Sequence, residues 1–210
     1  MSFIYMKILE SRPERYDIGM ALLTLGTLTK IKQQIAEHTH SGNQVLDLGC
    51  GTGTLAQMCI ERGAIVTGID ANSGMLAVAN KNSPYTNFLN ISLSNLDENL
   101  EDESFDIVLS TLAFSELTRM ERIHVLKQIK RVLKSEGKVL IGDEIIPEKF
   151  LSKCFYYAFR IPMRLLTWVI TQTTTNSIAN FDEDVREAGM KIVNCRSFML
   201  GMFILLEIKK

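Results

Sequence analysis

An apolar run that passes straight into closely spaced glycines, Val45-Leu46-Asp47-Leu48-Gly49-Cys50-Gly51-Thr52-Gly53-Thr54-Leu55-Ala56, constrains this chain more than any other stretch. It predicts a buried strand, a tight turn and the first turn of a helix in immediate succession. Glycines at 49, 51 and 53 take the β-carbons off the turn. A ligand can then lie against bare backbone and meet the free N–H groups of the helix that follows. A second apolar run, Ala64-Ile65-Val66-Thr67-Gly68-Ile69, ends in Asp70 about twenty residues later, where a carboxylate can accept from both hydroxyls of a ribose. Strand, glycine turn, helix, strand and acid together read as an adenosine site.

The dinucleotide fingerprint has the same outline, and here it fails in detail. With Gly49 and Gly51 as the first glycines of G-x-G-x-x-G, the third position falls on Thr54, whereas the glycine present is Gly53. Asp47 is a second mismatch, because a carboxylate so near a pyrophosphate repels it. It suits a ligand that carries positive charge and no phosphate. Asp47-Leu48-Gly49-Cys50-Gly51-Thr52-Gly53 resembles motif I of the class I S-adenosylmethionine-dependent methyltransferases, and the resemblance extends over residues 44–147. It implies a methyl transfer from S-adenosylmethionine that leaves S-adenosylhomocysteine.

Around this motif the apolar pattern alternates between strand and helix. Residues 20–38 carry Leu22, Leu25, Leu28, Ile31 and Ile35 at helical spacing and predict a helical cap, within residues 1–40, ahead of the first strand. After Leu48 come a helix over 54–62 closed by Gly63, a strand over 64–69, a helix over 73–82, a strand over 87–91 and an acidic loop. Residues 105–111 make a fourth strand, 118–134 a helix with its stripe at Ile123, Leu126, Ile129 and Leu133, and 138–142 a fifth strand. A helix over 181–188 capped by Gly189 precedes two closing strands, 190–198 and 202–208. The rhythm predicts an α/β, Rossmann-like, doubly wound and mostly parallel seven-stranded sheet, with the C-terminal antiparallel hairpin that the methyltransferase fold has. A chain of 210 residues reads as a single domain, 1–210.

Carried over position by position, the resemblance implies that Gly49, Cys50 and Gly51 lie against the methionine portion of the donor and that Asp70 takes the ribose hydroxyls. Asp47 orients the loop and the ammonium, or is a structural carboxylate of the loop. Ala71 and Met75 flank the adenine, although Met75 and Leu76 equally suit a buried helix face. Asn95 stands where many relatives place an acid for the adenine amine, with Asp97 taking that role if the loop shifts by one residue. Backbone at Thr111 touches the methionine portion. Glu116 is a candidate for the group facing the acceptor, or else part of a helix cap. Asp143 and Glu144 follow the fifth strand near the same rim, where they contact an acceptor or cap the next turn. His124, one position off the apolar stripe of its helix, reads as solvent-facing.

Composition narrows the class further. With 23 basic against 24 acidic residues and no cationic cluster, nucleic acid is not an expected partner. Cys50, Cys59, Cys154 and Cys195 lack C-x-x-C spacing and fit a reducing, cytoplasmic setting. Residues 1–16 are too interrupted by charge and by Pro13 for a signal peptide. His38, His40 and His124 form no metal-ligand pattern, so no metal is expected. The aromatic stretch 150–177 carries Lys153, Arg160, Pro162 and Arg164, which argue against a transmembrane segment. It reads as an apolar insert over the acceptor site, as added core, or as a docking surface. No nucleophile motif is present, as suits a displacement from an already activated donor. Met6 to Asp17, Ser115-Glu116-Leu117 and Gly142-Asp143-Glu144 are similar to the methyltransferases associated with corrinoid proteins, which implies a corrinoid-linked acceptor or partner. Tyr16-Asp17 also resembles the pair that precedes motif I in quinone-biosynthesis methyltransferases, where the tyrosine lies over the donor. That implies a small-molecule or lipid-like acceptor and a donor contact for Tyr16, whose alternative is to anchor the cap helix to the core. The competing class is a non-catalytic sensor or scaffold module that only binds S-adenosylmethionine.

Overall fold

The computed structural model describes residues 12–96, 100–147, 178 and 180–210. The insert at 150–177 and Asp97 lie outside them. A short 3-10 turn at Pro13–Arg15 leads into α1 (Tyr16–Leu23) and α2 (Thr27–Ala36), followed by β1 (Gln44–Leu48), α3 (Thr54–Ile60), β2 (Ile65–Asp70), α4 (Ser73–Asn82) and β3 (Asn87–Asn90). Then come β4 (Phe105–Thr111), α5 (Arg119–Val132), β5 (Leu133–Glu144), α6 (Phe181–Glu187), β6 (Lys191–Phe198) and β7 (Phe203–Lys209). The strands form one sheet in the order β3-β2-β1-β4-β5-β7-β6. β1 to β5 are parallel, and β7 runs antiparallel between β5 and β6. The order reverses between β1 and β4, so a crevice opens at the carboxyl ends of these two strands.

Strand alternation divides the core into two layers. Leu46, Leu48, Val108 and Ile141 face α5 and α6, where Leu126, Ile129 and Val185 meet them. Val45, Ile107, Leu109 and Leu140 face α2 and α3, where Ile31, Ile35, Leu55 and Cys59 are buried. Burying a side chain such as Ile31 contributes roughly 1.5 to 3 kcal/mol. Gly142 lets α2 come down on β5, since a β-carbon there would stand 2.5 Å from Ile31 Cγ2. A buried ion pair joins α5 to α6: Arg122 Nε donates to Asp184 Oδ2 at 2.7 Å, and Asp184 is fully buried.

Three boundaries differ from expectation. The single helix over 20–38 is two helices, because Leu25 and Gly26 take left-handed backbone at φ 49° and 74° and turn the chain. The expected helix over 118–134 starts from a capping box, Thr118 with Glu121, and ends at Val132. Leu133 is already extended, and β5 runs to Glu144 with a register shift opposite Phe105 and Ile107. Asp143 and Glu144 therefore lie inside the strand, where both are buried.

Candidate functional site

The crevice is a cavity of about 450 Å³ lined by Tyr16, Gly49, Gly51, Asp70, Ala71, Asn72, Met75, Thr111, Leu112, Ala113 and Glu116. Its floor is the glycine loop. Gly49 and Cys50 both donate their N–H to the Ile69 carbonyl, at 2.8 and 3.0 Å, which binds the loop to β2. Gly49, Gly51 and Gly53 all sit in the left-handed region, at φ 68°, 55° and 76°. Packing within the protein also needs the first and third: a β-carbon on Gly49 would meet Ala113 Cβ at 2.6 Å, and one on Gly53 would meet Ala79 Cβ at 3.0 Å. The glycines thus let the loop fold against its neighbours, as well as baring backbone to the cavity.

Asp70 organises the opposite wall. One oxygen accepts from Gly51 N–H and the other from Asn72 N–H, each at 2.8 Å. Burial raises its pKa, and these two N–H groups oppose the rise. Each oxygen has a further lone pair to offer a ligand. Asn72 then caps α4, its side-chain oxygen accepting from Gly74 N–H at 2.9 Å and Met75 N–H at 3.2 Å. Met75 is both core and lining: it is 4% exposed, and its methyl lies beside Gly51.

On the third wall, Leu112 is strained at φ 60°, with its N–H bonded to the Gly142 carbonyl at 2.9 Å. The chain then turns because Asp143 Oδ2 accepts from Phe114 N–H at 3.0 Å and Ser115 N–H at 3.2 Å. Asp143 is wholly buried, which pushes its pKa up to about 6 against these hydrogen bonds. Expected near the acceptor, it instead shapes the turn that carries Thr111, Leu112, Ala113 and Glu116 to the cavity. Glu116 lies on the lining and is exposed.

Tyr16 closes the fourth side from the start of α1. The next residue holds it there, since Thr52 Oγ1 of the loop donates to Asp17 Oδ2 at 2.7 Å.

Three candidate donor residues lie off the lining, and for Asp47 this favours the alternative of a structural carboxylate. Asp47 is 1% exposed and off the lining, and neither of its oxygens has a hydrogen-bond partner. Burial raises its pKa to about 7; Lys32 and, from beyond hydrogen-bonding geometry, the Ala56 N–H pull it down, while Asp70 pushes it up. The Cys50 side chain is buried toward Gly68, off the cavity lining, and burial pushes its thiol up. Asn95 is exposed at the end of the 3-10 turn Leu93–Asn95 and does not reach the cavity, because the next residue, Leu96, is drawn into the core. Of the lining, sequence reading missed Asn72. Asn72 before Ser73-Gly74 carried an N-cap signal.

Asp70 and Glu116 are the charged residues of the described lining, and no Lys or Arg joins them. Such a cavity disfavours phosphate and accommodates a cation. Among the described residues no helix is long and apolar enough to cross a membrane.

Residues 46–141 match the family described as "Methyltransferase domain". A demethylmenaquinone methyltransferase of Thermotoga maritima is 30% identical over 170 residues, covering 78% of this chain and 70% of that protein. A ubiquinone/menaquinone biosynthesis C-methyltransferase of Campylobacter jejuni is 26% identical over 188 residues, covering 80% and 78%. Among solved structures, an S-adenosylmethionine-dependent methyltransferase of Mesorhizobium loti superposes with a TM-score of 0.66 at 18% identity, covering 85% of this chain and 95% of that one. The [4+2]-cyclase SpnF superposes almost as well, with a TM-score of 0.65 at 17% identity over 86% and 80%. At that identity the superpositions establish the fold, and the fold alone does not select the chemistry.

Proposed function

The chain belongs to the class I S-adenosylmethionine-dependent methyltransferases, and from that premise we propose that it methylates a small, apolar, quinone-type acceptor in the cavity between β1 and β4. The observation that carries the donor half is the charge of the lining: two carboxylates and no Lys or Arg among the described residues. That charge fits a ligand with a sulfonium and an ammonium and no phosphate. In this reading Asp70 accepts from the ribose hydroxyls, Ala71 and Met75 flank the adenine, and Gly49, Gly51 and the Thr111 backbone meet the methionine portion under Tyr16. S-adenosylmethionine supplies a methyl group already activated by its sulfonium, so alignment of donor and acceptor provides much of the rate. Leu112 and Ala113 give the acceptor an apolar seat. In the same reading Glu116, the exposed carboxylate of the lining, takes a proton from it. The relatives reported above are quinone methyltransferases, which is why the acceptor is assigned to that class and not to a corrinoid-linked one.

Two measurements test this reading. Calorimetry is expected to show binding of S-adenosylhomocysteine and none of NADH; binding of NADH without a response to S-adenosylhomocysteine would overturn it. With labelled donor, a reduced demethylmenaquinone-type acceptor is expected to gain one methyl group. Glu116→Gln should then lower kcat by far more than it weakens donor binding, which loses one of the two carboxylates of the lining.

A further inference from the structure

Lys32 occupies a place that an ammonium seldom takes. It lies on α2 in the core-facing row with Leu28, Ile31, Ile35 and Ala36, and it is only 8% exposed. Its Nζ is 3.5 Å from Asp17 Oδ1 on α1. The other oxygen of Asp17 accepts the Thr52 hydroxyl at 2.7 Å, and Thr52, 1% exposed, belongs to the glycine loop. Asn82 at the end of α4 donates to the Thr52 carbonyl at 3.4 Å. A chain of polar contacts thus runs from Lys32 through Asp17 into the floor of the cavity, one residue away from Tyr16 on its wall.

Beneath that floor, Asp47 is buried with both oxygens unpartnered. The groups that face it are Lys32 from α2, Asp70 from the end of β2, Cys50 of the loop and Cys59 of α3. Lys32 is the cation of this set. An isolated buried carboxylate gives up its charge, and a cation near it favours its ionised form.

We propose that Lys32 is a positioning residue of the donor site, whose buried side chain holds the N-terminal helices to the glycine loop through Asp17 and favours the charged form of Asp47 beneath that loop. The proposal rests on the donor occupying the cavity as read above. Two consequences follow from the one side chain. Through Asp17 and Thr52 it fixes where α1 places Tyr16. Through its field on Asp47 it maintains negative charge under the part of the site that receives the cationic end of the donor. Because Asp47 stands near neutrality, donor affinity should rise with pH as this carboxyl ionises, and Lys32 sets where on the pH scale the rise falls.

The test is calorimetric titration of S-adenosylhomocysteine from pH 5.5 to 8.5 into the unaltered full-length chain, Lys32→Met, Lys32→Arg and Asp17→Asn, with a thermal melt of each. Lys32→Met is expected to bind about tenfold more weakly at pH 7, the loss of one charge-assisted hydrogen bond, and to move the midpoint of the pH profile upward. Lys32→Arg should restore the midpoint. Asp17→Asn keeps an acceptor for Thr52 and removes an anion that competes for Lys32, so its midpoint should move downward. It also keeps the question open to test if Lys32→Met does not fold, because the Asp17 side chain is 40% exposed and the change is isosteric. Midpoints of folded Lys32→Met or of Asp17→Asn that coincide with that of the unaltered chain would overturn the proposal, whatever their melting temperatures. If the unaltered chain does not bind S-adenosylhomocysteine, the donor-site reading falls first and the proposal with it. Binding by the unaltered chain with unmoved midpoints in the variants removes only the role given to Lys32.

Discussion

Asp70 shows how one side chain can serve a fold and a ligand at once. Both of its oxygens already accept a backbone N–H, from Gly51 and Asn72, so the acid at the end of β2 shapes the glycine loop before any ribose arrives. This makes the usual conservative change severe. In Asp70→Asn the amide nitrogen must face one of those N–H groups, and a donor is set against a donor. Asp70→Asn and Asp70→Ala should therefore both weaken S-adenosylhomocysteine binding by about 1 to 3 kcal/mol in calorimetry. An Asp70→Asn variant that binds as tightly as the unaltered chain would assign the ribose to another residue. The contrast with Asn95 explains what could be read at this scale. A strand end and a glycine turn fix Asp70 by register, and it lines the cavity. Asn95 sits in a loop with no such anchor, and the pull of Leu96 into the core sets where that loop goes. Asp143 was legible as a neighbour of the site and not as a buried one, because its role is to bond two N–H groups distant in sequence.

At the scale of elements, apolar spacing located nearly every strand and helix among the described residues but not the points at which the chain changes direction. The stripe from Leu22 to Ile35 runs on through Leu25 and Gly26, so periodicity sees one helix where the backbone makes two. Likewise α5 passes into β5 at Leu133 without an intervening turn signal, since a buried leucine serves either element. Docking of α6 was invisible for another reason. It depends on a polar contact, the carboxylate of Asp184 enclosed between Arg122 and Arg119 at 2.7 and 3.1 Å. Removing one member of a buried pair leaves a charge without its counter-ion. Asp184→Ala should cost about 3 to 5 kcal/mol in urea unfolding, whereas the paired change Arg122→Met with Asp184→Leu should cost much less. Equal losses in the single and double variants would mean that α6 is held by its apolar contacts, Phe181 and Val185, and not by the ion pair.

For the molecule as a whole, strand order and charge placement act together. The reversal between β1 and β4 puts the loops after these strands side by side, and the sheet carries its acids at that end. Two of them, Asp47 and Asp143, are buried, and burial pushes their pKa values up to about 7 and about 6. A carboxyl whose folded pKa exceeds its unfolded value of about 4 binds more protons in the native state between the two values. Its contribution to stability is complete below about pH 4 and is lost as pH rises through the folded pKa. Both groups therefore lower stability between about pH 4 and pH 7 as they ionise. Asp106 opposes them: Lys134 and the Gln44 N–H hold its pKa below the ordinary value, so its contribution appears at lower pH and is complete before Asp47 titrates. In melts recorded from pH 4 to pH 8, Asp47→Asn should accordingly show a smaller fall in Tm with rising pH than the unaltered chain does. Asp143→Asn should remove the lower part of that fall, between about pH 4 and pH 6. A slope in Asp47→Asn equal to that of the unaltered chain would mean that Asp47 is ionised throughout, with Lys32 compensating its burial in full. Saturating S-adenosylhomocysteine should raise Tm at every pH, because it binds the folded chain, and should raise it more at pH 8 than at pH 5 if donor binding draws on the ionised form of Asp47.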